Sequence, residues 1–262
     1  MSEVNNNTVA EDIWKTPHVQ TDTYIIAYLD MLGSKERIEN DPNGEHLNAI
    51  NSLYSVTLEF INSWCKGTNL PGVKVKIFSD NIVIAKKISK DSASIPDSYC
   101  HVALFVALIQ ITAFIHAKWL IRGCISIGDL YIDDTLIWGK ALVRAHNLEE
   151  SIAIYPRVII DQKLLRMMLI TSEEERKNYF INIDVDGMFY LGYLEIIRAT
   201  SKEIITDSGE QLISEYEKKL QTLKPSNEKI WQKYYWTANY FSKVTNNPDF
   251  LEKCPNLKIP ET

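Results

Sequence analysis

Two aspartates stand where apolar, strand-like segments end, and their positions indicate a shared site. Asp30 follows the β-branched and aromatic run from Thr23 to Leu29 and begins a D-x-x-G sequence that ends at Gly33. Asp80 lies between two short apolar segments, in a Ser-Asp-Asn sequence that predicts a tight hairpin. If that hairpin pairs beside the first strand, the two carboxylates lie next to each other.

The chemistry that suits neighbouring carboxylates depends on a cation, because two such groups raise each other's pKa unless one neutralises them. Mg²⁺ and Mn²⁺ are the natural choices, since they prefer oxygen ligands and keep positions for phosphate oxygens. Two such ions about 3.5–4 Å apart activate an attacking oxygen and stabilise a leaving one in phosphoryl transfer. The alternative is structural: Asp30 caps the following helix, and Asp80 is a turn residue.

The overall charge narrows the classes of partner. The chain has 262 residues and a net charge of −6. A protein that coats nucleic acid is normally basic, because its affinity comes from neutralising phosphates, so no nucleic-acid partner is expected. A single small polyphosphate held through metal ions remains compatible with this charge.

The apolar segments predict no membrane partner. Val102 to Ile121 is mostly apolar, but Gln110, Thr112, His116 and Lys118 interrupt it, which favours a buried helix over a membrane span. The first 11 residues are polar and contain no apolar core of a signal peptide, and the four cysteines form no C-x-x-C pair. We therefore expect a reducing, cytoplasmic location.

The order of predicted elements indicates an α+β fold. The sheet is of the split βαβ kind (ferredoxin-like, palm-type), antiparallel and flanked by helices, which we place on one face. The predicted elements are a strand at 23–29, a helix at 45–65, strands at 73–78 and 82–87, a helix at 96–119, a strand at 121–127 that 129–132 continues or returns from, a helix at 139–150 and a strand at 157–160.

The order of the predicted elements divides the chain into three regions. Residues 1–20 form a flexible N-terminus, residues 21–178 the catalytic domain, and residues 179–262 a C-terminal α/β extension. The extension packs on the catalytic domain or at a dimer interface. Its predicted elements are short strands at 179–183, 188–191 and 194–197, and helices at 209–223 and 226–244, the second of which is rich in aromatic residues.

Four motifs together resemble those of class III nucleotidyl cyclases, in the same order, over residues 23–160. Tyr28 to Gly33, Y-L-D-M-L-G, resembles the first metal motif F-A-D-I-x-G, and Phe78 to Asn81, F-S-D-N, resembles the second, I-G-D-x. Arg122 to Gly128, R-G-C-I-S-I-G, is similar to the strand R-x-G-I-x-x-G. Ile137 to Glu149 is similar to I-W-G-x-x-V-N-x-A-x-R-L-E.

This resemblance implies a mechanism and an assembly. Asp30, Asp80 and the backbone carbonyl of Met31 would bind two divalent ions, Mn²⁺ or Mg²⁺, while the ribose 3′-hydroxyl attacks the α-phosphorus and pyrophosphate leaves. Gly33 and Ser34 belong to the turn whose backbone N–H groups take the β- and γ-phosphates. Because the sites of this family form between two subunits, a homodimer is implied.

Several positions depart from the family pattern. The family's ribose-orienting Asn and its transition-state Arg correspond here to Val143 and Asn147. The base-selecting position, four residues before Asp80, is Lys76, and its usual partner is Leu136, which cannot pair with an adenine edge. As a cation at a strand edge, Lys76 suits a uracil carbonyl oxygen, although an ordinary solvated lysine is the plainer alternative.

Other residues are candidates for the missing functions. Arg144 and Lys140 could replace the transition-state Arg, and His146 and Asn147 could hydrogen-bond the sugar or a phosphate. Tyr54, on the first long helix, is a candidate to stack on the base. The plainer alternatives are surface charges for the polar residues and a core aromatic for Tyr54.

Two segments that include positions departing from the general pattern resemble one group of cyclases more closely. Arg122 to Tyr131, R-G-x-I-S-x-G-x-L-Y, and Gly139 to Glu149, G-K-A-L-V-x-A-H-x-L-E, are similar to the pyrimidine cyclases of the Pycsar antiphage systems, which also carry an extended C-terminal region. The resemblance implies conversion of UTP to cyclic UMP, a second messenger read by a separate effector protein. Conversion of CTP to cyclic CMP is the alternative, as is a catalytically silent cyclase-like domain that binds a nucleotide or a partner.

Overall fold

The computed structural model of the chain describes residues 19–64, 72–89, 92–203 and 208–258, so Cys65 and positions 1–18 of the predicted N-terminus lie outside it. Its strands are β1 (Asp22–Met31), β2 (Val73–Phe78), β3 (Asn81–Lys87), β4 (Ile121–Ile132), β5 (Ile137–Trp138), β6 (Val158–Ile160), β7 (Ile181–Ile183) and β8 (Phe189–Leu191). Its α-helices are α1 (Ser34–Glu39), α2 (Glu45–Trp64), α3 (Ile95–Ala117), α4 (Lys140–Ile152), α5 (Gln162–Met167), α6 (Glu173–Asn178), α7 (Tyr193–Glu203), α8 (Ser208–Gln221) and α9 (Glu228–Thr245).

The strands of the described residues form one sheet in the order β2-β3-β1-β4-β6-β8-β7, and β5 pairs with β4. β1 is central and runs antiparallel to both β3 and β4, while β6 is parallel to β4. The predicted α+β class and the order strand, helix, hairpin, helix, strand, helix, strand are confirmed. Residues 129–132 continue β4 rather than return from it.

The two faces of the sheet are covered by different helices, because the side chains of β1 alternate between them. Ile25 and Leu29 belong to the main core, in which α3 packs on β1 and β3. Ile26 belongs to a second cluster with Ala141 and Ala145 of α4. The prediction of helices on one face is therefore wrong, since α4 covers part of the opposite face.

Helix α3 is long and apolar enough to cross a membrane, yet 72% of its apolar window is buried inside the protein. It packs against β1 and β3 on one side and against α2, α7 and α8 on the others. A helix surrounded in this way is apolar around its whole circumference. The predicted buried helix is confirmed.

The residues after 179 continue the same sheet and the same core. β8 pairs with β6 through Tyr190 and Ile159, and β7 adds the last strand. α7 and α8 pack on α3, and α9 contacts both. Tyr216 of α8 lies against Phe114 of α3, with ring centroids 4.3 Å apart. The sheet edge and the core of the first region are thus completed by the second.

The predicted strand at 194–197 is instead the beginning of α7. Leu194 and Ile197 are buried at a spacing that suits one face of a helix, and a short apolar run does not by itself distinguish a helix from a buried strand. The carbonyl of Gly192 accepts a hydrogen bond from the N–H of Ile196 at 3.1 Å. The chain therefore turns into the helix directly after β8.

A buried guanidinium joins the start of β6 to the turn between β7 and β8. Arg157 is 1% exposed, and its guanidinium forms ion pairs with Asp184 and Asp186. Asp184 also accepts a hydrogen bond from Trp236 Nε1 at 2.8 Å. Hydrogen bonding to Arg157 lowers the pKa of Asp186. These contacts attach the edge hairpin and α9 to the centre of the sheet.

We predict that Asp184→Asn lowers the free energy of unfolding by about 2 kcal/mol, because it leaves a buried guanidinium with one partner instead of two. The measurement is urea denaturation followed by circular dichroism. Glu173→Gln is the matched control, since the pair of Glu173 with Lys177 is on the surface and contributes little. Equal stability of the Asp184 variant and the wild type would contradict the structural role given to this pair.

Candidate active site

The end of β1 and the hairpin between β2 and β3 bring two carboxylates together. Asp30 pairs with Asn81 across β1 and β3. The N–H of Met31 donates to the backbone carbonyl of Asp80 at 3.2 Å. In the alternation of β1, Asp30 is on the same face as Tyr28, the face that α4 partly covers. Asp30, Met31 and Asp80, which the sequence predicted as metal ligands, therefore lie at one edge of the sheet.

Asp80 is held by side chains from two elements. The turn passes through Ser79, which has a left-handed φ of 55°. Asp80 accepts hydrogen bonds from the hydroxyl of Ser34, the first residue of α1, and from Asn81 Nδ2 at 3.0 Å. Asn81 in turn accepts one from the Tyr28 hydroxyl at 2.6 Å. Ser34 thus ties the turn after β1 to the hairpin.

Arg122 lies opposite Asp30 in the pairing of β1 with β4 and shares its charge between two carboxylates. Its Nε donates to Asp30 Oδ2 at 2.8 Å. Glu149 Oε1 lies equally close to the same nitrogen, at 2.8 Å, but Nε carries one hydrogen, so Glu149 receives the charge without a hydrogen bond. Burial raises the pKa of Glu149, and Arg122 opposes that rise.

Tyr28 lies within range of the charges of all three carboxylates, which affect the pKa of its hydroxyl. Burial, as the largest cause, and then the charges of Glu149, Asp30 and Asp80 together raise the pKa of Tyr28 to about 12, while Arg122 opposes them. Three acidic side chains around one arginine leave an excess of negative charge. An excess of this kind at a sheet edge favours a bound cation.

His146 is, with Glu149, a residue of α4 that reaches the site of Asp30 and Arg122. Its ring centroid lies 5.1 Å from that of Tyr28, and its Nδ1 lies 3.7 Å from Glu149 Oε2. Since its side chain is 48% exposed, it remains accessible to a ligand. Of the polar residues predicted on α4, His146 is therefore placed beside the aspartates of its own chain.

The turn after β1 presents an open backbone. Gly33 has a left-handed φ of 79°, which glycine adopts without strain, and no atom lies within 4 Å of the place where a Cβ would stand. The N–H of Leu32 donates to the carbonyl of Leu120 at 2.9 Å, so it is not available to a ligand. Of the predicted phosphate-binding turn, Gly33 and Ser34 remain accessible.

The residues present fit divalent ions of the Mg²⁺ or Mn²⁺ class. Asp30, Asp80 and the carbonyl of Met31 are hard oxygen donors, and Arg122 occupies only one oxygen of Asp30. The described residues contain no cluster of three or more His, Cys, Asp or Glu side chains with ligand geometry. Such a sparse donor set suits ions that take their remaining ligands from water and substrate phosphates.

The other polar residues predicted on α4 line a separate cleft. Lys140, Arg144 and Asn147 lie along one side of a cavity of about 880 Å³ that also contains Trp138. The guanidinium of Arg144 is bound by both carboxylate oxygens of Asp161, with Nη2 2.7 Å from Oδ1. These three residues are thus not brought to Asp30 within one chain.

The two predicted base contacts are also outside the aspartate centre. Tyr54 is half-buried on α2, a helix that packs on α3. Lys76 donates from its ammonium to the backbone carbonyl of Asp134. That carbonyl belongs to the loop 133–136, so Lys76 contacts the loop that contains Leu136, its partner in the resemblance.

Sequence reasoning did not single out Glu149 and Lys233 as site residues. Glu149 carried a signal, since its spacing of three from His146 places both on one side of a helix. Lys233 carried none: it comes from α9, and only the fold places it where the charges of Arg122 and Asp30 act on its pKa.

Comparisons with known proteins identify no family. No family model and no curated protein matches the chain. Among solved structures, the adenylyl cyclase CyaB from P. aeruginosa has 12% identity and a TM-score of 0.46, over 66% of this chain and 95% of that one. The catalytic core of a rhodopsin-guanylyl cyclase with converted specificity, in complex with ATPαS, has 15% identity and a TM-score of 0.46, over 67% and 98%.

A third solved structure, a class III adenylyl cyclase-like ATP-binding protein from Pseudomonas aeruginosa, has 11% identity and a TM-score of 0.44, over 76% of this chain and 43% of that one. Similarities at this level do not assign an activity. What the aspartates do is therefore inferred from their own geometry.

We predict that Arg122→Met lowers the free energy of unfolding by about 3 kcal/mol, because Asp30 and Glu149 then face each other without their shared cation. Adding Glu149→Gln restores part of that loss, since it removes the buried carboxylate left uncompensated. A double-mutant cycle in urea measures this coupling. If Glu149→Gln changes stability equally with and without Arg122, the shared ion pair is refuted.

Proposed function

We propose that this protein is a nucleotidyl cyclase of the class III type that converts UTP to 3′,5′-cyclic UMP and pyrophosphate. The observation that carries the proposal is the meeting of Asp30 and Asp80 at adjacent strand ends, next to one arginine and the open turn at Gly33. Two carboxylates beside an accessible backbone turn suit a nucleoside triphosphate bound through divalent ions.

The residues around Asp30 and Asp80 have different proposed roles. When bound, two Mn²⁺ or Mg²⁺ ions supply a lowered pKa for the ribose 3′-hydroxyl and charge neutralisation for the leaving pyrophosphate. Asp30, Asp80 and the carbonyl of Met31 would hold them. Arg122 orients Asp30 through the hydrogen bond to Oδ2, and the hydroxyl of Ser34 orients Asp80. His146 would hydrogen-bond the sugar or a phosphate.

The preference for a pyrimidine rests on Lys76 and Leu136. An ammonium that donates to a backbone carbonyl in the free protein can donate in the same way to a uracil carbonyl oxygen. Leu136 offers no polar group to an adenine edge. CTP is the alternative substrate, because its ring carbonyl also accepts from a lysine.

The remaining polar residues of α4 are proposed to act across a homodimer interface. Lys140, Arg144 and Asn147 line a cleft away from the aspartates of their own chain, so they would meet the substrate of a partner subunit. Close to them, Trp138 is 71% and Val143 59% exposed. Exposed apolar side chains grouped in this way mark a contact surface. A two-fold dimer would have two equivalent sites.

The biological role is proposed from the resemblance to the pyrimidine cyclases of antiphage systems. The product would act in the cytoplasm as a second messenger that a separate effector protein reads. The competing proposal is a catalytically silent nucleotide-binding domain. One observation favours it: Arg144, the candidate for the transition-state arginine, is bound by Asp161.

We predict that the purified protein, incubated with each of the four ribonucleoside triphosphates and Mn²⁺, forms cyclic UMP from UTP. Product identification by mass spectrometry is the measurement. Asp80→Ala removes a proposed ligand and should lower the rate at least about a hundredfold. Asp249→Ala, at an exposed position in a short 3-10 helix, is the matched control and should retain full activity.

The outcomes separate the competing functions. Cyclic CMP as the main product would favour the cytidylate alternative. Absence of every cyclic product, while a control cyclase works, would favour the silent domain. Retained activity of Asp80→Ala would contradict the metal assignment.

We predict that two inactive variants complement each other when mixed. Asp80→Ala removes a metal ligand, and Lys140→Ala removes a contact proposed to serve the partner's site. Each heterodimer then contains one intact site, so an equimolar mixture should recover about a quarter of the wild-type activity after subunit exchange. The measurement is the cyclisation rate of the mixture. No recovery from exchanged subunits would show that both residues act in the same chain.

The interface itself is tested by charge insertion. Trp138→Glu should convert the dimer into monomers in analytical ultracentrifugation. Leu47→Glu, at an equally exposed apolar residue on α2, is the control and should leave the dimer intact. A monomeric wild type with full activity would overturn the shared-site proposal.

A further inference from the structure

A cavity of about 390 Å³ lies between the turn after β1 and the C-terminal region. Its walls come from four parts of the chain: the segment with Gly33 and Arg37, His46 at the beginning of α2, the residues that link α3 to β4, and the beginning of α9 with the residues before it. This size is within the range of pockets that bind small ligands. The cavity shares Gly33 with the proposed phosphate-binding turn.

The cavity is lined by an excess of cationic side chains. Arg37, Lys118, Lys224 and Lys233 line it, with Glu36 as the acidic residue among its lining side chains. In residues 19–64, 72–89, 92–203 and 208–258, the structure shows no ion pair for any of the three lysines. Four cations that share one cavity with a single carboxylate repel each other, and an anion bound in the cavity lowers that cost.

The fold holds the side chain of Arg37 and the backbone of Lys118 in place. Arg37 donates to the carbonyl of Ala117 at 3.2 Å and lies over the ring of Trp119, 5.5 Å from its centroid. Lys118 is the C-cap of α3 in a left-handed conformation, with φ of 53°, and its N–H bonds to the end of that helix. A guanidinium that is already positioned in this way loses less side-chain entropy when an anion binds.

Lys233 connects this cavity to the aspartate centre. Burial lowers its pKa, the charge of Arg122 lowers it further, and the charge of Asp30 opposes both. Lys233 therefore lines the cavity and is also within range of the charges of Arg122 and Asp30. A triphosphate that is bound at the aspartates and extends past Gly33 would therefore reach the cationic side chains of this cavity.

We propose that the C-terminal region completes, within the same chain, the subsite for the β- and γ-phosphates of the substrate and for the pyrophosphate product, with Lys233 and Lys224 as its cationic contacts. This inference rests on the proposed cyclase function and deepens it. It gives residues 179–262 a role in substrate binding besides packing. In a protein with a net charge of −6, a highly charged triphosphate needs such a local concentration of cations.

The test measures phosphate binding and catalysis separately, on the full chain. Inorganic tripolyphosphate is titrated into the protein by calorimetry without any nucleotide. We expect Lys233→Gln and Lys224→Gln each to weaken this binding about tenfold, the loss of one charge-assisted hydrogen bond. Lys243→Gln is the matched control, because it removes the same charge from the other end of α9 and should change nothing.

Steady-state kinetics supply a second readout. Both variants should raise the KM for the nucleoside triphosphate about tenfold, and Lys233→Arg should restore it, since a guanidinium also binds phosphate. Thermal melting checks that each variant folds. Lys224 lies outside the helices, so its substitution tests the proposal even if a change within α9 disturbs packing.

The results distinguish this inference from the proposed activity. If the wild type is an active cyclase while both glutamine variants bind tripolyphosphate and substrate as the wild type does, the subsite is refuted and the cyclase stands. If no triphosphate is cyclised but tripolyphosphate binding depends on both lysines, the cyclase fails and the anion site remains. Loss of binding in Lys243→Gln as well would reveal a general charge effect and overturn the assignment.

Discussion

The antiparallel register of β1 between β3 and β4 is the constraint on which the other features depend. It sets Asp30 beside Asn81 on one side and beside Arg122 on the other, and it leaves Ile25 and Leu29 for the core. A slip of one residue would exchange the two faces, burying the carboxylate against α3 and exposing the apolar side chains. The stability of the core and the placement of the charges are therefore fixed by the same hydrogen bonds.

Short-range patterns were sufficient to predict the centre of the fold. The apolar alternation around β1, the Ser-Asp-Asn hairpin and the long apolar helix α3 each have local signatures, and the two aspartates follow from them. The face of the sheet on which α4 lies has no such signature. It depends on which residues of β1 and α4 meet, so the one-sided arrangement predicted for the helices did not hold.

Long-range contacts account for what the sequence could not indicate. Glu149 belongs to the site because Arg122 forms ion pairs with two carboxylates, those of Glu149 and Asp30. The buried guanidinium of Arg157 is compensated by two aspartates from a turn that is distant in sequence. The composition of the run at 194–197 suits either a strand or a helix. Its position directly after β8, with Gly192 starting the helix, decides the outcome. The roles of Lys76, Tyr54 and the outward-facing residues of α4 remain predictions.

The burial of helix α3 limits how far the chain can be shortened. Its apolar circumference is covered on one side by the sheet and on the others by α2, α7 and α8. Cutting the chain after residue 178 would strip two of those helices, uncover a membrane-like surface and leave β6 as a bare sheet edge, both of which promote aggregation. The C-terminal region is thus inseparable from the rest: a shorter, self-sufficient ancestor or derivative must have a differently composed α3, with polar residues where α7 and α8 now lie.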